Sequence, residues 1–444
     1  VRTILMISLA STVALAAASR PVQAQSRGDR EDRPYRGIFR GGVEDAGDLL
    51  TANLSLGGGY SNDQLSRPVG DLAAGPPPTF TGPFSRASGN LQYSFVRDRG
   101  SFNASAGASA RYYRARQDVL PGYTAAVGGS VALTQRINWE ADVRGVDQPL
   151  YGLTLFPDAV GVNPGVLSPI DYTQDVARGG YRRVSGNTRL GMALTRRTAL
   201  DVHYEASLGE IGDAHIRQTL QGAGASISQQ LTRDLGLRIG YARRVGHYEL
   251  ADGTQRIENR SIDAGLEYSH ALSLSRHTSL SFATGTTAIS DGDRTRFRII
   301  GHATLDREIG RTWDAALIYS RDVGFIETLV EPTFSDSLAL AIGGLIGRRV
   351  ELRTEIAATV GKLGFDRAAA NRGFDAYDGT TQLTVAVSRY LGISASYTYY
   401  RYTFDSDAPL TGAVFRRLDR QSVQAGLTLW APLLHRARRP HAAR

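Results

Sequence analysis

Residues 382–430 constrain this chain more than any other stretch. From Gln382 to Ser388, apolar Leu383, Val385 and Val387 alternate with Gln382, Thr384 and Ala386. After Ser388-Arg389-Tyr390 the alternation resumes, with Leu391, Ile393, Ala395, Tyr397 and Tyr399 on one side and Gly392, Ser394, Ser396 and Thr398 on the other. Ser422–Trp430 repeats it, with Val423, Ala425, Leu427 and Leu429 against Gln424, Gly426 and Thr428. A period of two is a β-strand. Each segment has one apolar face and one small or polar face.

Strands of this kind suit two settings. In a soluble sheet the apolar face packs on a second layer; in a membrane barrel it meets lipid while the other face meets a wet interior. No helix-period stretch is available as a covering layer. An open sheet edge in lipid would leave backbone groups unpaired, at a cost of several kcal/mol each, and closure removes that edge. The predicted fold is therefore all-β, a single closed antiparallel transmembrane β-barrel over residues 49–430. Eighteen candidate strands can be traced, with sixteen as the alternative count. A secreted β-helix or propeller would show a uniform repeat instead.

The connections alternate in length. Tight turns follow the even strands. Longer breaks follow the odd ones, at 61–84, 114–122, 147–179, 209–215, 245–256, 287–294, 322–334, 362–378 and 404–416. Bacterial barrels have short periplasmic turns and long outer loops, so both chain ends are placed in the periplasm.

The flanks read differently. Arg2, the apolar run Ile4–Ala18 and Val22-Gln23-Ala24 form a signal peptide over residues 1–24. Residues 25–48 are a polar, flexible periplasmic segment, and 431–444 a basic tail. No later run is apolar for the 18 or more residues that a membrane helix needs.

Composition removes several function classes. There is no cysteine, so disulfides and thiolate metal sites are excluded. The 51 basic residues are all arginine except Lys362, and the formal charge is +8. The arginines are spread over turns and strand ends and form no single patch, which argues against a nucleic-acid partner. None of the eight histidines stands in an H-E-x-x-H pattern. His203 lies between Asp201 and Glu205, but residues two apart on a strand stand about 6–7 Å from one another and rarely converge on one ion. No cofactor, metal or catalytic residue is assigned, and the chain does not read as an enzyme.

The polar face supplies the candidate site. Its predicted pore-lining residues are Glu140, Asp142 and Arg144; Asp201, His203 and Glu205; Arg238; Asp263 and Glu267; Arg298 and His302; Asp314; and Glu351, Arg353 and Glu355. About eighteen strands enclose an interior too wide for side chains to fill. Both signs are present, so no ion selectivity is assigned; the same charges also suit a solvated, partly paired wall. Trp139, Trp313 and Trp430 are expected at the periplasmic interface, with Tyr60, Tyr112, Tyr204, Tyr241, Tyr397 and Tyr399 towards the outer one.

The arginine turns Leu194-Thr195-Arg196-Arg197-Thr198-Ala199-Leu200 and Leu274-Ser275-Arg276-His277-Thr278-Ser279-Leu280 carry a resemblance. So does the last strand, Val423–Trp430, with its proline step Ala431-Pro432-Leu433. The chain resembles bacterial outer-membrane β-barrel proteins, and among them porin-like barrels. One departure is that Trp430 is followed by further residues, whereas the assembly signal of such barrels usually ends the chain in an aromatic. The resemblance implies residence in the Gram-negative outer membrane, contact with its lipid, and assembly by the barrel-assembly machinery. It implies a channel for small polar solutes. The alternative is a structural or export-associated barrel, in polysaccharide secretion for example, serving a periplasmic partner.

Overall fold

The computed structural model describes residues 46–437 except 66–80, 98, 115–116, 152–176, 212–215, 251–252, 272–277, 292–293, 311, 325–331, 365–371, 407 and 409–415. The expected signal peptide and almost all of the 25–48 segment lie outside the described residues, as do most of the 147–179 break and the Arg276-His277 turn.

Eighteen strands form one sheet: β1 (Ala46–Leu65), β2 (Gly82–Arg97), β3 (Gly100–Tyr113), β4 (Asp118–Ala132), β5 (Ile137–Tyr151), β6 (Ala177–Ala193), β7 (Thr198–Ile211), β8 (Ile216–Gln230), β9 (Leu235–Leu250), β10 (Gly253–Ala271), β11 (Thr278–Asp291), β12 (Arg294–Ile309), β13 (Trp313–Gly324), β14 (Thr333–Ile346), β15 (Val350–Leu363), β16 (Gly373–Ala386), β17 (Leu391–Phe404) and β18 (Arg417–Ala437). Each strand pairs antiparallel with the next, and β18 pairs with β1, so the sheet closes on itself. The closing ladder runs from Leu65↔Leu418 to Ala46↔Ala437. The paired region thus extends beyond residues 49 and 430 at both ends, and residues 431–437 continue β18 where the sequence reading begins a tail.

The period-two faces sort as expected. Leu305, Leu317, Leu340 and Ile356 are successive cross-strand partners. They stand 36%, 40%, 37% and 53% exposed on the outside of the cylinder. Phe297 and Ile299 reach 73% and 64%. A fold in water buries such side chains, and a continuous exposed apolar band of this size needs lipid.

At one end the strands are joined by short turns, which are periplasmic in bacterial barrels. Four of these share one chemistry. Thr134 Oγ1 accepts from the N–H groups of Arg136 and Ile137, both at 3.1 Å. Thr195, Thr232 and Ser388 do the same for the second and third residues after them, at 3.0–3.3 Å. A short hydroxyl side chain thereby satisfies donors that the ladder no longer reaches. The turns after β12 and β14 instead use left-handed glycines, Gly310 at φ 63° and Gly347 at φ 70°. Exposed arginines (Arg136, Arg196, Arg197, Arg233 and Arg389) stand in the first type of turn, just past the last lipid-facing residues.

The other end departs from the sequence reading. The expected break at 245–256 is largely a ladder, Leu250↔Gly253 down to Arg244↔Asn259. The break at 114–122 shrinks to the residues between Tyr113 and Asp118. Polar side chains above the lipid lose the apolar alternation while the backbone goes on pairing. Above Asp263, β10 no longer pairs with β11, and above Gly301, β12 no longer pairs with β13. The β9–β10 hairpin therefore parts from β11 beyond the apolar band while β9 stays paired with β8 as far as Glu249, and the β11–β12 hairpin parts from both neighbours.

On the β9–β10 hairpin, Glu258 accepts from Arg243 Nε and Arg260 Nε, both at 2.9 Å. Hydrogen bonds from these two guanidinium groups hold its carboxyl down to about 2, from an ordinary value of 4.5. A depressed carboxylate pKa stabilises the fold above the unfolded value, and that contribution is lost as pH falls through the folded value. Order in this hairpin is therefore expected to weaken between pH 4.5 and about 2. Carboxyl carbon shifts in glutamate-labelled protein will read it; a Glu258 midpoint near the ordinary value would refute the pairing.

Candidate functional site: the charged inner wall

The register places all fifteen predicted residues at interior positions, on the face opposite the exposed apolar side chains. In β5, Glu140, Asp142 and Arg144 alternate with Trp139, Ala141 and Val143, and Val143 pairs with Val127 on the outer face. In β7, Asp201, His203 and Glu205 alternate with the exposed Val202 and Tyr204. Arg238 lies between Leu237 and Ile239 in β9, and Glu267 follows exposed Leu266 in β10. Asp263 takes an interior register position in β10. Arg298, His302, Asp314, Glu351, Arg353 and Glu355 follow the same parity in β12, β13 and β15.

Some of these residues are brought together, with partners that the sequence reading missed. Arg189 Nε in β6 lies 2.6 Å from Asp201 Oδ2. Arg244 Nε in β9 lies 2.5 Å from Glu205 Oε1 in β7, reaching over the intervening strand β8. Glycines make this reach possible. Gly222 and Gly224 of β8 pair with Glu205 and His203. A Cβ on Gly222 would stand 2.6 Å from Glu205 Oε1, and one on Gly224 would stand 2.5 Å from His203 Cε1. Arg238 Nη1 lies 3.3 Å from Glu267 Oε1 on the next strand. The pairs form one charged wall over β6–β10, with Glu140 of β5 the register partner of Arg189 at its edge, while Glu355 sits on the distant β15.

Nine strands away the interior differs. Ser337 and Thr359 hydroxyls meet at 2.9 Å, Thr380 and Thr398 at 3.4 Å, and Ser55 and Thr428 at 3.1 Å. Towards the long-connection end, Phe374, Tyr400, Tyr402, Phe404 and Leu418 are buried on the inner face. Their rings contact edge to face or tilted, with centroids 5.5–5.8 Å apart. Trp430 is also interior and only 8% exposed, which corrects its expected place at the lipid interface. Exposed Leu427 and Leu429 fix the outer parity of β18 and turn Trp430 inward, opposite Asn53. Trp139 and Trp313 do take the outer face. Their indole N–H groups donate to Thr188 Oγ1 at 2.7 Å and to the Leu345 carbonyl at 3.1 Å.

Charge is also sorted along the axis. Within five residues of the short-turn end the described interior side chains include nine carboxylates (Glu140, Asp142, Asp201, Glu267, Asp306, Glu308, Asp314, Glu351 and Glu355) and three arginines (Arg189, Arg238 and Arg353). From the ninth residue outward they include six arginines and two carboxylates, Asp322 and Asp378. The arginines are Arg86, Arg111, Arg183, Arg244, Arg298 and Arg420. Strand parity alone could have found every one of them. Among the described residues, no group of three or more His, Cys, Asp or Glu side chains could hold a metal ion.

The molecule is a transmembrane β-barrel with a polar inner face. No family model matches the chain, and no curated protein matches it. Among solved structures it is similar to OpdO of Pseudomonas aeruginosa, at 14% identity and a TM-score of 0.41 over 87% of this chain and 98% of that one. It is also similar to the FrpB iron transporter of Neisseria meningitidis, F5-1 variant, at 9% and 0.43 over 86% and 82%. The siderophore receptor PirA of Pseudomonas aeruginosa gives 9% and 0.41 over 86% and 80%.

Proposed function

We propose that this chain is an outer-membrane channel that passes small polar solutes through a water-filled lumen. The observation that carries this reading is the ion-paired wall of β6–β10, where Arg189–Asp201, Glu205–Arg244 and Arg238–Glu267 line the interior behind an apolar exterior. Charged side chains at that depth need water or one another, and eighteen strands leave room for both. In this reading residues 1–24 direct export, residues 25–48 lie in the periplasm, and the barrel-assembly machinery inserts the chain among outer-membrane lipids.

The test is single-channel conductance of residues 25–444 refolded into a planar bilayer. Stable open steps are expected, with an amplitude that changes in Arg238→Ala or Glu267→Gln. Heat-modifiable gel migration reports folding independently. A folded barrel that gives no steps would sink the channel reading and favour a barrel serving an export complex.

A further inference from the structure

The short turns carry arginine with a regularity that strand pairing does not require. Five of them are described throughout: those joining β4 to β5, β6 to β7, β8 to β9, β14 to β15 and β16 to β17. The last outward apolar residue at each is Leu133, Leu194, Leu231, Ile346 or Val387, between 48% and 57% exposed. Two or three residues later an arginine follows every time: Arg136, the pair Arg196-Arg197, Arg233, the pair Arg348-Arg349, and Arg389. All seven are exposed, and the only carboxylate in these turns is Asp234. Among the described residues no carboxylate forms an ion pair with any of the seven guanidinium groups. Carboxylates of the adjoining strands, Glu140, Asp201 and Glu351, stand on the inner face. On the outer face at this end Asp48 is taken by Arg97, at 3.4 Å.

We propose that this rim is a binding ring for anionic phospholipids, in which the turn arginines engage headgroup phosphates of the leaflet that the short turns meet. The proposal needs only that the apolar exterior meets lipid, and it stands whether or not the lumen conducts. An apolar side chain at the edge of the acyl region fixes the height of its neighbours. Two residues of extended chain cover about 6–7 Å, and the headgroup layer beyond the hydrocarbon is about 5–8 Å thick on each side. The arginines therefore stand at phosphate height.

The residue type fits that ligand. A guanidinium group pairs with a phosphate through two parallel N–H donors and is less strongly hydrated than an ammonium group. The chain's one lysine, Lys362, stands at the opposite end of β15. Basic side chains beside a bilayer are drawn to anionic headgroups within a Debye length of the surface. The placement favours lipid over an acidic protein. The β6–β7 and β14–β15 turns, each with two arginines, lie eight strands apart in a closed ring of eighteen, nearly opposite one another. A folded partner would have to reach round the whole rim, whereas lipids fill it as separate molecules.

The experiment gives the mature chain, residues 25–444 refolded in neutral detergent, equal amounts of phosphatidylglycerol and phosphatidylcholine, and counts the retained lipids by native mass spectrometry. At least about three-fold more phosphatidylglycerol is expected to be retained, as for several basic residues at one anionic surface. The preference should fall towards parity as the Debye length shrinks from about 10 Å at 0.1 M salt to about 3 Å at 1 M. Glutamine in place of all seven arginines should abolish it, with heat-modifiable gel migration reporting folding. If that variant does not fold, Arg196→Gln with Arg197→Gln, and Arg348→Gln with Arg349→Gln, should each reduce it. Arg217→Gln, Arg256→Gln and Arg260→Gln, at the other end of the barrel, should leave it in place. Equal retention of the two lipids by the parent chain, or a preference that survives the rim substitutions, would overturn the proposal. Rim-dependent binding of poly-glutamate without a lipid preference would also overturn it, in favour of an acidic periplasmic protein.

Discussion

Arginine at position 356 will destabilise the barrel by about 2–4 kcal/mol, the cost of a cation on the lipid face near the bilayer midplane. At position 357 the same residue will cost far less. Ile356 is 53% exposed and lies between Leu340 on β14 and Gly379 on β16, on the apolar exterior. Ala357 is one residue on, at an interior position, and pairs with Asp378. An arginine there meets a carboxylate and the polar side of the wall. The comparison keeps the strand, the height and the introduced side chain the same and changes the face. Urea midpoints of Ile356→Arg and Ala357→Arg, each refolded into the same lipid, give the result. Equal losses would mean that the sheet does not separate lipid from water as described.

The second large effect belongs to the seam that closes the barrel. Gly57 of β1 and Gly426 of β18 are direct cross-strand partners. A Cβ on Gly426 would stand 2.5 Å from the Leu56 carbonyl oxygen, and one on Gly57 would stand 2.5 Å from the Ala425 carbonyl oxygen. The obstacles are backbone on both sides, so no side chain can swing away. Gly426→Val therefore has to push the first and last strands apart where the ladder must hold. Unpaired backbone in the membrane costs several kcal/mol per group, and overpacking adds about 1–3 kcal/mol. The expected outcome is loss of the heat-modifiable folded band for Gly426→Val. Gly89→Ala, where a Cβ meets nothing nearer than 3.9 Å, should fold as the parent does. Normal folding of both variants would show that the seam is looser than this geometry.

Much of the barrel is legible in the chain because lipid imposes a local rule. A strand in the bilayer must show apolar residues on every second position, so Val385, Ile393, Leu427 and their like announce both strand and face without knowledge of any partner. The fifteen predicted interior residues followed from that parity, and all occupy interior register positions. The same rule fails outside the apolar band. Residues 245–250 pair with 253–258 as a ladder without alternating, since water tolerates either face. Trp430 was placed by its position near the strand end and not by its parity with Gly426 and Thr428, and it is interior.

The sequence by itself determined an all-β closed barrel of eighteen or sixteen strands, which end has short turns, and which side of each strand meets lipid; the structure settles eighteen. Only the tertiary structure decided how the ends meet and at what height each charge stands. Gly57 and Gly426 become neighbours through hydrogen bonds between the first and last strands. Arg244 finds Glu205 because β7, β8 and β9 fall into one register and β8 offers glycines between them. Facing is a property of one strand and its solvent, whereas register and closure are properties of pairs of strands.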